Sequence, residues 1–138
     1  MARPEYYGNP AGLTADVAVV RRGYAAFAAR DVDQLLEIAA PDCELYLEGT
    51  ARNVARTEPY RGHAGVREYF ADVARVWDEL TLHADDVRAV PGSVVVMGHV
   101  EAFREGILHR RAVLWTWKLR DGLATSIRVA DMGELKTS

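Results

Sequence analysis

Acid–base chemistry needs an ionisable side chain held against an apolar wall, and the last strand-like segment offers one at Asp131. Ile127 and Val129 share one face of that segment, and Asp131 is in phase with them. Side chains two apart in a strand point the same way, so Asp131 inherits the inward direction where the apolar face ends. A carboxyl beside apolar walls and Trp115 has its pKa raised, because desolvation penalises the charged form. Such a group suits proton transfer near neutral pH. Two arginines lie in phase with the neighbouring faces. Arg111, with His109, continues the face of Val113, Trp115, Trp117 and Leu119, and Arg104 continues that of Gly98, Val100 and Ala102. Either one beside Asp131 would keep it ionised and make it a ligand anchor. The plainer alternatives are surface salt bridges for the arginines and, for Asp131, hydrogen bonds in a turn at Met132-Gly133.

Other chemistries find less support. His63, His83, His99 and His109 have no partner at metal-ligand spacing along the chain, and Cys43 is alone, so no metal or other cofactor is expected. No P-loop, dinucleotide glycine fingerprint or GxSxG turn is present. Gly62 to Gly65 (GHAG) reads as the turn into a helix, with anion binding by its N–H groups as the alternative. The segment Gly49 to Gly62 carries Arg52, Arg56 and Arg61 against Glu58, and reads either as a solvated loop or as a basic lid over a polar ligand.

Composition sets the frame. The chain has 138 residues, 49% hydrophobic and 27% charged, which suits one globular domain and argues against disorder. A net charge of −3 argues against nucleic-acid binding. One cysteine excludes an internal disulfide. No uncharged apolar run reaches the roughly 18 residues of a membrane span, and no signal-peptide segment is evident, so the expected setting is cytoplasmic.

The elements that must position these residues follow from periodicity. Residues 1–12 read as a loose leader. Thr14 is a candidate N-cap for a helix whose face is Val17, Val20, Tyr24 and Phe27, running to about Ala29. A shorter helix opens at Asp31, with Gln34 three residues on, and is expected to stop at Pro41. Cys43 to Glu48 is a strand. Val66, Tyr69, Phe70, Val73, Val76, Trp77 and Leu80 mark a third, clearer helix. Four strands follow, Thr81–Val90, Ser93–Arg104, Ile107–Arg120 and Leu123–Asp131, separated by Pro91-Gly92, Glu105-Gly106 and Asp121-Gly122 turns. The class is α+β.

Three stretches carry a resemblance: VRRGYAAFAARDVDQLLEIAAPDCELYLEG from Val20, PYRGHAGVREYFADVARVWDEL from Pro59 and AVLWTWKLRDGLATSIRVADMGEL from Ala112. With the element order, they make residues 13–135 resemble the SnoaL-like branch of the nuclear transport factor 2-like superfamily. The resemblance implies a curved antiparallel or mixed sheet wrapped around a long helix, with two N-terminal helices and an apolar pocket inside the cone. It implies association as a homodimer through the outer sheet face, where His99, Phe103, Leu114 and Thr116 fall. It also implies pocket walls from Tyr24, Phe27, Leu47, Tyr69, Val100, Trp115 and Val129, and an acid–base role for an inward Asp, which Asp131 matches. The steroid-isomerase pattern does not match: its base position falls at Leu47 beside Glu48, its donor Asp at Trp115, and its Tyr at Gly23 beside Tyr24. The expected function is a cofactor-independent isomerase, cyclase or hydratase acting on a small apolar or polyketide-like molecule. The alternative is a noncatalytic ligand-binding or dimerisation domain of the same fold.

Overall fold

The computed structural model describes residues 10–135. Most of the proposed leader, and the tail at 136–138, lie outside the described residues. The order is α1 (Pro10–Ala28), α2 (Val32–Ile38), β1 (Ala39–Tyr46), α3 (Glu48–Asn53), β2 (Tyr60–Arg61), α4 (Gly62–Val76), β3 (Glu79–Val90), β4 (Ser93–Arg104), β5 (Ile107–Arg120) and β6 (Leu123–Glu134). One mixed six-stranded sheet is ordered β2-β1-β6-β5-β4-β3. β3 to β6 form an antiparallel meander, and β1 joins β6 in parallel.

Two of the three two-residue hairpins share one turn form. Glu105 and Gly106 (φ 51° and 79°) and Asp121 and Gly122 (φ 54° and 77°) all take positive φ, as the two-residue turns matching strand twist require. β4 and β5 accordingly span the expected residues. α2 opens on Asp31, whose side chain accepts the Gln34 N–H at 3.1 Å.

Several expected boundaries move. α1 begins at Pro10, a first-turn position where the missing proline N–H costs nothing, so Thr14 lies inside the helix. Pro41 does not end α2, which stops at Ile38. It lies within β1, where the register with β6 is irregular between Ala39 and Glu44 and a ladder N–H is not required. Leu80 belongs to β3 rather than to α4. β6 runs three residues beyond Asp131 through a bulge, because Val113 pairs with Asp131 and Ala112 with Gly133.

The core lies between the helices and one face of the sheet. α1 packs against β3, β4 and β6, and α4 against β1, β2 and the short helices. Aromatic rings form two linked groups, Tyr24 with Trp115 and Trp117, and Phe27 with Tyr69 and Phe70. The glycines of GHAG are explained by packing: a Cβ on Gly65 would lie 2.7 Å from the Tyr60 carbonyl carbon, and Gly62 takes a φ of +68°.

Candidate functional site

The inner face of β3–β6, closed by α1, α3 and α4, encloses a cavity of about 400 Å³. All ten candidates named from the sequence line it: Tyr24, Phe27, Leu47, Tyr69, Val100, Arg104, Arg111, Trp115, Val129 and Asp131. Alternation brings them together. Arg104 stands in phase with Val100 on β4, Arg111 with Trp115 on β5, and Asp131 with Val129 on β6. The interior is apolar and aromatic, and the charged groups gather toward the exposed ends of the strands.

Asp131 departs from expectation in its electrostatics. Its side chain is 43% exposed, not desolvated. Arg111 Nε donates to Oδ2 at 2.6 Å, and the Gly133 N–H donates to Oδ1 at 2.9 Å. Chiefly through the Arg111 hydrogen bond, the carboxyl is held below its ordinary value, the reverse of the raised pKa expected from apolar surroundings. Arg111 thus keeps Asp131 ionised, and the Gly133 contact is a turn-type hydrogen bond at the β6 bulge. Arg104 donates to the Asn53 side-chain oxygen and so ties β4 to α3.

The segment read as a loop or basic lid is instead built structure. Residues 48–53 form α3, and 60–61 pair with β1. Arg56 pairs with Glu68 at 3.0 Å and lies over the Tyr60 ring, and Arg61 pairs with Glu44 at 2.9 Å. Of the three arginines, Arg52 alone lines the cavity.

The interior also holds hydroxyls, those of Tyr24 and Tyr69 having been named from the sequence only as walls. Trp117 Nε1–H donates to the Tyr24 hydroxyl oxygen at 3.1 Å, which leaves the phenol's own proton available to another acceptor. Burial pushes the Tyr24 pKa far above the ordinary phenol range, so the group stays protonated. Tyr69, buried, is pushed up to about 12. Thr50 is buried on α3 and accepts the Trp77 Nε1–H at 3.0 Å. Thr50 and Trp77 also line the cavity and were missed as site residues: α3 is too short to show a period, and Trp77, at the end of α4, was named only as part of that helix's apolar stripe. Trp117 was named with Trp115 on the same face of its strand, but the sequence did not pair it with Tyr24.

The histidines are not uniformly scattered. His83 on β3 lies opposite His99 on β4, and Glu101 joins them on the outer face. The expectation that no histidine has a ligand-type partner is corrected here: strand register, rather than spacing along the chain, makes the cluster.

Comparison with known proteins agrees with this architecture. A family model described as SnoaL-like domain matches residues 20–127. TerC, solved in co-crystals with polyporic acid, is 27% identical, with 85% of this chain and 91% of that chain covered at a TM-score of 0.76. An NTF2-like protein of Burkholderia pseudomallei K96243 is 22% identical over 85% and 90% of the two chains (TM-score 0.76). A protein described as a candidate SnoaL-like polyketide cyclase, from Jannaschia sp. CCS1, is 17% identical over 86% of each chain (TM-score 0.71). No curated protein matches. No described helix is long and apolar enough to cross a membrane. With the helix order, the mixed sheet and the enclosed cavity on its inner face, the match over residues 20–127 makes the chain a member of the SnoaL-like domain family.

Proposed function

We propose that the cavity binds a small, ring-bearing, largely apolar molecule of polyketide-like type and acts on it as a cofactor-independent isomerase, cyclase or hydratase. The observation that carries this reading is the Tyr24 hydroxyl: partly buried, protonated, and with its oxygen already engaged by Trp117. Its proton is directed to whatever acceptor occupies the cavity, and a ligand carbonyl is the natural one. As negative charge develops on that oxygen, a fixed donor in a dry site stabilises it at no reorganisation cost. Asp131, kept ionised by Arg111, is available as a proton acceptor but not as an acid at neutral pH. Tyr24 is therefore given the role of hydrogen-bond donor to the developing oxyanion rather than of an acid, while Asp131, Arg111, Arg104 and Arg52 orient the polar end of the ligand at the rim. The aromatic walls supply flat surface for rings. TerC's co-crystals with polyporic acid and the description of the Jannaschia protein support the ligand class.

A second reading, a noncatalytic ligand-binding domain, is favoured by one observation. Both lining carboxylates, Glu48 and Asp131, are exposed, and the only buried carboxylate among the described residues, Asp72, is bonded to Tyr60 and Arg75. One experiment separates the two. Ring-bearing polyketones are titrated against Trp115/Trp117 fluorescence, and each binder is then followed by mass spectrometry for an isomerised, cyclised or hydrated product. The expected result is turnover by the wild type that falls about 10²-fold in Tyr24→Phe, with affinity nearly kept. Saturable binding with no product from any binder would leave the binding-domain reading standing.

A further inference from the structure

We propose that the outer face of the sheet, away from the cavity, holds a divalent-cation site made by His83, His99 and Glu101, with Asp85 holding the His99 ring. The cation class is the borderline one, zinc foremost, that takes imidazole nitrogen together with carboxylate oxygen.

Register builds the site. His83 and His99 are directly paired across β3 and β4, and their rings stack at 4.2 Å with planes 7° apart. Glu101 lies two residues beyond His99, and so on the same face; its Oε1 is 2.7 Å from His83 Nε2. Candidate ligand atoms on His83, His99 and Glu101 lie within 4.8 Å of one another. The β3 bulge between Ala84 and Asp86 falls at Asp85, whose Oδ2 lies 2.7 Å from His99 Nδ1. Bulges re-aim side chains in this way.

Gly98 makes the bulge fit. A Cβ there would lie 1.9 Å from the His83 carbonyl oxygen, so no larger residue allows this approach of the two strands.

The donor set is suited to a cation. Zinc–ligand bonds of about 2.0–2.2 Å place neighbouring donors roughly 3.4 Å apart, which partly exposed side chains reach by rotation without backbone movement. Two carboxylates, Glu101 and Asp85, face the cluster, and among the described residues one arginine lies within ion-pair distance of them. That cation, Arg110, has its Nε 3.2 Å from Glu101 Oε2, which leaves Oε1 turned toward His83. Outer groups that hold a ligating carboxylate in this manner are the usual support of a metal site. β3 is an edge strand, so the cluster is reachable from the side of the sheet.

The test uses the full chain without an affinity tag and zinc chloride alone, in a buffer that does not chelate. Calorimetry is expected to show one saturable zinc per chain. His83→Gln and His99→Gln are each expected to weaken it by about tenfold or more, and His63→Gln to leave it unchanged. Circular dichroism of each zinc-free variant checks the fold. A second measurement needs no variant: on adding zinc, the ring resonances of His83 and His99 shift while those of His63 and His109 stay. Absence of saturable binding, or wild-type affinity in the His83→Gln/His99→Gln double variant, overturns the proposal. Zinc-induced shifts at His63 or His109 instead would overturn it equally.

Discussion

The Asp131 carboxylate has the Arg111 guanidinium 2.6 Å from one oxygen and the Gly133 N–H 2.9 Å from the other. Strand phase alone identified its face, but the sign of its pKa shift depends on one cation that phase does not locate. A depressed folded-state pKa means stability that is present above the unfolded value and lost as pH falls through the folded one. An NMR titration of the Asp131 carboxyl is therefore expected to give a midpoint below the ordinary 3.8. In Asp131→Asn the melting temperature at pH 7 is expected to change by less than about 3 °C, because a pair this exposed is largely screened by solvent. A midpoint above 3.8 would restore the desolvated, acid-type reading. Tyr24 makes the complementary point. It was legible as an apolar-face residue from helical spacing, whereas the donor role proposed for it depends on Trp117, 93 residues away on β5.

At the scale of elements, the meander was legible because its turns are written in residue types: Glu-Gly and Asp-Gly steps bound β5 on both sides. α3 was not. Six residues, two of them Gly49 and Thr50, give neither period nor propensity, and the helix forms because its buried side packs Thr50 and Ala51 into the core. The His83–His99 pair was equally hidden, since a bulge sets which residues of β3 and β4 face each other. Gly23 shows an element's composition overridden by packing. Glycine weakens a helix interior by about 1 kcal/mol relative to alanine. A Cβ at Gly23, however, would lie 2.5 Å from the end of the Trp117 ring and 3.2 Å from Ile38. The Trp117 indole is 3% exposed and bonded to Tyr24, so it has little room to yield. Gly23→Ala is expected to destabilise by about 1–3 kcal/mol despite the better propensity, through overpacking. Urea unfolding measures it. A gain in stability would mean that Trp117 moves freely and that its bond to Tyr24 does not define the site.

At the scale of the whole molecule, the outer face of the meander also carries apolar side chains, beside the His83–His99 cluster. Met97, Leu114 and Ala130 are paired in one row across β4, β5 and β6, with Val95 and Thr116 in the next row on the same side. Met97 is 54% exposed, and Phe103 and Leu114 are only partly covered. Isolated apolar side chains on a surface are ordinary, but a contiguous patch marks an interaction site. We propose that a second copy of the chain covers it, as the family resemblance implied through His99, Phe103, Leu114 and Thr116. A two-fold arrangement would set the row on its own symmetry mate, so each Leu114 would face apolar groups from the other copy. Light scattering is expected to give twice the chain mass at micromolar concentration. Leu114→Glu, which puts a charge into each half of that contact, is expected to give a monomer with an unchanged far-ultraviolet spectrum. A wild-type monomer at high protein concentration would mean that Met97 and Leu114 are simply tolerated on the surface and that the cavity acts in a single chain.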